Sequence, residues 1–238
     1  GGIVRVPHHY FRANVADDVK GVGLDLLTKF RVVEAAATVE ALLFQTGTCA
    51  DLRRRAIDYF TATGGVEPLA KAAIEPSFED LREYAAKGLA KIGTPDAAKH
   101  LVAAWKKTFV AKQALANYYL LQALAGFKAA VLRPIVLEFL KTETDASAKN
   151  VFLSMLGRGD KALALEVVRD ILAQNHSPSL RRQALTVLAS VGGAEAQQIL
   201  LDILVAGRNP KDILDCANAL LRQEKLEVAF DKVRDVFG

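Results

Sequence analysis

The chain has few of the residues that build compact reactive sites. Its 238 residues include two cysteines, one methionine, one tryptophan and four histidines. Two cysteines exclude the disulfide framework of a small secreted domain. His8-His9 is the sole local histidine pair, and no Cys, Asp or Glu stands beside it at a metal-ligand spacing. His100 falls on a helical stretch and His176 in a turn. Neither has a neighbouring acid, serine or cysteine that reads as a triad partner. Gly64-Gly65 and Gly157-Arg158-Gly159-Asp160 lack both a preceding strand and a following Lys-Ser/Thr, which excludes a phosphate loop and leaves helix–helix turns as their expected use. Gly21-Val22-Gly23 is read as a turn for the same reason. No hydrophobic run is long enough to cross a membrane. Apart from Ile3-Val4-Arg5-Val6, no segment has a strand's composition. These absences give no catalytic residue, no metal and no cofactor.

What is present is repetition. Leu52-Arg53-Arg54-Arg55-Ala56 recurs as Leu81-Arg82-Glu83-Tyr84-Ala85 and as Leu180-Arg181-Arg182-Gln183-Ala184. Each copy reaches a glycine eight residues past its alanine: Gly64, Gly93 and Gly192. The alanine position continues at Tyr118–Leu120, Lys149–Val151 and Ala217, at intervals of about 29 to 35 residues, the range of paired-helix repeats. Glycine closes one helix in a left-handed cap, and Pro95 suits the first turn of the next.

Apolar spacings of three and four within each segment predict six helix pairs, at 32–63, 66–92, 95–125, 128–156, 160–191 and 194–223. A further helix is predicted at 226–237. Residues 1–31 read as an extended lead-in and N-terminal cap, and 32–238 as the repeat domain. Two positions resist the frame: Gln122 and Lys149 fall where burial is expected. Half of the residues, 51%, are hydrophobic and only 7% aromatic, so the core is aliphatic, with Trp105 inside it. If layers stack about 8–10 Å apart, Cys49 and Cys216, in the first and last repeats, cannot reach each other. That points to a reducing compartment, the cytoplasm. Because the chain starts Gly1-Gly2, a processed piece of a larger protein is expected.

This pattern resembles the HEAT repeat family, in particular the short HEAT-like repeats of the phycobilisome lyases. The likeness rests on the Leu-Arg-x-x-Ala frame and on a proline ahead of an apolar run in the first helices, as in Val66-Glu67-Pro68-Leu69 and Leu132-Arg133-Pro134-Ile135. It implies an all-α solenoid, or superhelix, of about six helix pairs whose second helices line the concave face. The repeat arginines, Arg53, Arg82 and Arg181, with Leu214 replacing the last, are then expected to pair with nearby acids such as Asp51 and Asp80. Arg54 and Arg182 point to the open face, as do Lys87 and Lys91. The four form the expected partner-binding track, diluted by Asp58, Glu83 and Asp215.

Net charge is +4, with both signs interspersed. This is far from the density of a nucleic-acid arm. The expected function is a non-enzymatic protein–protein interaction scaffold, part of a larger protein or complex, that takes a protein or peptide of acidic character without membrane insertion. The alternatives rank lower: a nucleic-acid-binding cradle like that of HEAT-like DNA glycosylases, or a chromophore-lyase-type repeat protein.

Overall fold

A computed structural model describes residues 16–174, 177–206, 210–223 and 225, with the side chains of 80, 155, 158 and 159 set aside. Among the described residues there are thirteen α-helices and no strand. The six expected pairs are all present. They are α2 (Ala36–Phe44) with α3 (Ala50–Thr63), α4 (Val66–Ile74) with α5 (Glu79–Ile92), and α6 (Pro95–Val110) with α7 (Ala114–Leu124). They continue as α8 (Ala129–Thr142) with α9 (Ala146–Gly159), α10 (Lys161–Ala173) with α11 (Pro178–Val191), and α12 (Gly193–Ala206) with α13 (Pro210–Leu221). Before them comes α1 (Asp17–Phe30), so part of the expected lead-in is helical and Gly21-Val22-Gly23 lies inside a helix. Residues 1–15, which include His8-His9, His176, and the helix expected at 226–237 lie outside the described residues.

Local chemistry sets the boundaries. Thr94 caps α6 by accepting from the Ala97 N–H at 3.2 Å, with Pro95 in the first turn. Ser177 does the same for α11 ahead of Pro178. Gly64 and Gly93 end α3 and α5 at φ +82° and +68°, a left-handed conformation in which glycine meets no Cβ penalty. At Gly157 a turn was expected, but α9 runs through it. A Cβ there would lie 2.9 Å from Val187 Cγ1, so this glycine lets α9 and α11 approach closely.

The chain divides into two compact units, Gly1–Val131 and Leu132–Gly238. In the first, α1, α3, α5 and α7 pack side by side, with α2, α4 and α6 behind them. In the second, α9, α11 and α13 form the row, backed by α10 and α12. There, α8 sets the Phe139 ring 4.7 Å from that of Phe152 on α9. Each unit has the helix-pair stacking of an all-α solenoid.

Burial defines the repeat frame, counted from the alanine as position 0. Leu52, Leu81 and Leu180 at −4 and Ala56, Ala85 and Ala184 at 0 are all 3% exposed or less. In α7 the same phase falls on Ala116 and Leu120, and in α9 on Ala148 and Phe152, again buried. Gln122 is then at +2, in solvent, and Lys149 at −3, where α3, α5 and α11 carry arginine. Both exceptions disappear. In α13 the buried residue is Cys216 rather than Ala217, which shifts the frame by one. Trp105 is in the core as expected.

The repeat arginines do something the sequence did not indicate. Arg82 Nε donates to the Glu75 carbonyl at 2.8 Å, Arg53 Nη2 to Gln45 at 3.2 Å, and Arg181 Nη1 to Leu172 at 3.1 Å. Each acceptor lies in the last turn, or just past the end, of the first helix of the same pair. The cation satisfies carbonyls that the helix leaves open and meets the negative end of its dipole. Of the expected acid pairings, Arg181 Nε reaches Asp212 of the neighbouring pair at 2.9 Å, whereas Asp51 binds Arg55, at 2.8 Å, and the side chain of Asp80 is not described.

Candidate functional site

Positions −2 and +2 of each second helix face away from its first helix, and their residues make up the open surface of each row. In the first unit these are Arg54 and Asp58 on α3, Glu83 and Lys87 on α5, and Tyr118 and Gln122 on α7. Lys91 lies one turn beyond Lys87 and is exposed. Three of the four expected track residues, Arg54, Lys87 and Lys91, therefore share this surface. The fourth, Arg182, takes the same position on α11 of the second unit.

The cations are not a bare track. Lys87 Nζ lies 2.5 Å from Glu83 on its own helix. The Arg54 guanidinium sits over the Tyr84 ring at 5.3 Å, a cation–π contact. The Tyr84 hydroxyl donates to Asp58 on the preceding second helix. That hydrogen bond, reinforced by partial burial, pushes the phenol up to about 12. Arg54, Tyr84 and Asp58 form one cluster linking α3 to α5. In the second unit Arg182 Nε approaches Asp215 of α13 at 3.5 Å. Between these two helices lies a groove of about 130 Å³, lined by Arg182, Thr186, Asp215, Asn218 and Arg222.

A bond between neighbouring second helices of one unit recurs. The residue at −1 on one second helix reaches the residue at +2 on the helix before it. Tyr84 reaches Asp58, and Gln183 donates to Ser154 at 2.6 Å. These bonds lock neighbouring second helices in register and fix which side chains remain open. Sequence reasoning missed this ladder, and it missed the apolar part of the face: Leu115 and Tyr118 on α7 are each 57% exposed, beside the row that carries Lys87 and Lys91. The signal was available, since Tyr118 shares the −2 column with Arg54 and Arg182, but the column could not be drawn before the phase of α7 was known.

The remaining candidates have structural surroundings. His100 Nδ1 lies 3.1 Å from the Asp96 carbonyl of its own helix. Cys49 is exposed and Cys216 buried, both as free thiols. Burial, with the Asp212 carboxylate next in weight, pushes the Cys216 thiol up to about 12. Among the described residues no group of three or more His, Cys, Asp and Glu is placed to hold a metal ion, and no helix is long and apolar enough to cross a membrane.

Residues 81–104, which run from Leu81 on α5 into α6, match the family model of the PBS lyase HEAT-like repeat. This segment is a HEAT-like repeat. The match covers one second helix, its glycine cap and the start of the next first helix, and the frame defined there is the one that burial traces through the other helix pairs. No curated protein matches the chain at a significant level.

Proposed function

We propose that this chain is a non-enzymatic protein-interaction scaffold, and that the open face of its second helices receives an acidic segment of a partner protein. The observation that carries the reading is the face of the first unit. There the exposed Leu115 and Tyr118 stand on the helix next to the one bearing Lys87 and Lys91. A large ring and a branched aliphatic in solvent, bordered by cations, have the composition of an interface anchor with its polar rim. Lys87 and Arg54 are already engaged with Glu83 and Tyr84. A carboxylate-bearing partner competes for groups held in place, which favours a shaped protein segment over a uniform polyanion. Asp58 and Glu83 share the surface and would stand against the phosphates of a duplex, so nucleic acid ranks second.

The test uses fluorescent acidic peptides carrying an aromatic or leucine anchor, titrated with the full chain at low salt. Binding should weaken at least tenfold in the Lys87→Glu, Lys91→Glu double variant and also in Tyr118→Ala, with the melting temperature unchanged. Only the charge-reversal loss should shrink as ionic strength rises past about 0.15 M, where screening acts within roughly 8 Å. Absence of peptide binding would overturn the proposal. So would tighter binding to random-sequence duplex DNA, with affinity falling linearly in log salt.

A further inference from the structure

Neighbouring second helices meet at a fixed point of the frame, where +5 on one faces +3 on the next. Between α3 and α5 the pair is Thr61 and Gly88, and a Cβ on Gly88 would lie 2.6 Å from Thr61 Oγ1. Between α9 and α11 it is Gly157 and Val187, the large and small residues exchanged. In both, glycine admits the larger side chain opposite it, and the meeting point is filled to the density of a core. Between α5 and α7 the pair is Ala90 and Ala123. There Gly126 closes the gap, an ideal Cβ on it standing 3.3 Å from Ala90 Cβ.

The meeting point of α11 and α13 is built otherwise. Its pair is Ala189 and Ala219, and neither helix contains a glycine. Two methyl groups stand where the other pairs set a large side chain or a glycine, and the groove of about 130 Å³ opens over them, with Leu185 in its floor. The walls are polar. Arg182 and Asp215 face each other at 3.5 Å, and the Thr186 hydroxyl donates to the Arg182 carbonyl at 3.1 Å. Arg222 is seven residues past Asp215, about 10 Å along α13, with Asn218 between them. Both Asn218 and Arg222 are exposed, and neither makes a hydrogen bond or ion pair among the described residues.

We propose that this groove is a binding site for one acidic side chain of a protein partner, with the methylenes over Ala189 and Ala219 and the carboxylate on Arg222 and Asn218. Charge selects the ligand. Two guanidiniums and one carboxylate line the groove, and Asp215 is already met by Arg182, which leaves the Arg222 cation to be matched. A guanidinium offers paired N–H donors that fit a planar carboxylate, and the Asn218 amide adds another. Size selects it as well. Sites for whole small molecules run to about 300–1,000 Å³, so a groove of 130 Å³ takes a single side chain. The alanine floor favours glutamate, whose two methylenes cover more of it than the one of aspartate. An inorganic phosphate brings no stem and leaves the floor bare. The site lies wholly in the second unit and does not depend on the role given to Lys87, Lys91 and Tyr118 in the first.

The test titrates N-acetyl-glutamate N-methylamide, a single blocked residue, into the isotope-labelled full chain at low salt and reads amide and Arg side-chain resonances. The Ala189 and Ala219 amides and the Arg222 Nε–H should shift together and saturate with one dissociation constant. The glutamine analogue, of the same shape without the charge, should bind at least tenfold more weakly, and so should the glutamate probe to Arg222→Gln. Ala189→Thr, which installs the residue that α3 carries at +5, should abolish the shifts with no fall in melting temperature. If it disturbs α11, Ala219→Val fills the groove from the other wall with the residue that α11 carries at +3. The Lys87→Glu, Lys91→Glu double variant should bind the probe unchanged, so failure here and failure of the first unit's face are told apart. Equal affinity for the glutamine analogue, equal shifts with inorganic phosphate, or shifts that survive both filled variants would each overturn the proposal. So would a titration that shows no saturation.

Discussion

In α3, α5 and α11 a leucine stands at −4 and an alanine at 0, whereas in α7 and α9 the alanine stands at −4 and a leucine or phenylalanine at 0. Both arrangements are buried to the same degree. The summed volume changes little, by nothing in α7 and by the difference between Phe and Leu in α9. A core feels total volume and its local distribution rather than residue identity at one site, so a paired exchange is tolerated where either half alone is not. Cys216 in α13 is a third solution at position 0, small and weakly polar.

The sharpest way to break this comparison is to impose the middle arrangement on an outer repeat. Leu81→Ala alone should cost about 2–5 kcal/mol through the cavity it leaves. Ala85→Leu alone should cost about 1–3 kcal/mol by overpacking. The double variant should cost clearly less than the sum, with the coupling read from urea midpoints at constant slope. Strict additivity would mean that the two positions do not share one space, and the frame drawn through α7 and α9 would fail.

The −3 residue gives the second contrast. Arg82 and Arg181 bring a charge to the end of the preceding helix. In α7 the residue is Asn117, whose Oδ1 accepts from the Thr108 hydroxyl near the end of α6 at 2.5 Å. Removing the charged donor in Arg82→Ala should cost about 1.5–3 kcal/mol, and Asn117→Ala about 0.5–1.5 kcal/mol. Equal losses would show that packing of the stem, and not capping of the helix end, carries the arginine's contribution.

How much was legible from sequence follows the same division. Where Leu and Ala took their frame positions, pair boundaries, glycine caps and proline starts could be placed to within a few residues. Where they were exchanged, Gln122 and Lys149 looked misplaced, because a pattern search keys on residue type while the fold keys on volume. The open-face charges Arg54, Lys87, Lys91 and Arg182 could be read from spacing alone. Their engagements with Tyr84, Glu83 and Asp215 could not all be: the i,i+4 pair was accessible, but a ladder between residues 26 and 29 apart, Tyr84–Asp58 and Gln183–Ser154, needs the helix phases first. Helix α1 was hidden most completely, since Val19, Lys20, Gly23 and Arg31 stand at the spacings that α3 fills with Leu52, Arg53, Ala56 and Gly64.

Cys216 sharpens the comparison through pH. Its folded thiol is raised to about 12 against an ordinary 9.0, so the folded state holds a proton that the unfolded chain releases first. The stability this contributes is fully present below pH 9 and is lost as pH rises towards 12. Between pH 9 and 10 the loss should be about 1 kcal/mol. Cys216→Ala, which restores the residue of α3 and α5, should flatten that part of the stability profile, apart from the tyrosine contributions at higher pH. A slope unchanged by the substitution would show that the thiol is not held neutral in the core.

The smallest effect concerns α1. Arg31 holds the left-handed conformation that Gly64 and Gly93 adopt without a Cβ. A non-glycine residue there costs about 1–2 kcal/mol. Glycine removes that cost but loses more chain entropy on folding, roughly 0.5–1 kcal/mol. Arg31→Gly should therefore stabilise the protein by about 0.5 kcal/mol, visible as a small rise in the urea midpoint with no change in slope. The sign decides the matter. If α1 ends as the other second helices end, glycine is favoured and the midpoint rises. If instead Arg31 serves α1 through its side chain, by meeting the carbonyl end of the helix dipole, removal lowers the midpoint and the correspondence at position +8 is a coincidence of backbone shape. Arg31→Ala separates the two: it keeps the strained conformation and loses the guanidinium, so it should be no more stable than the unaltered chain under either reading. Only under the second should Arg31→Gly join it below.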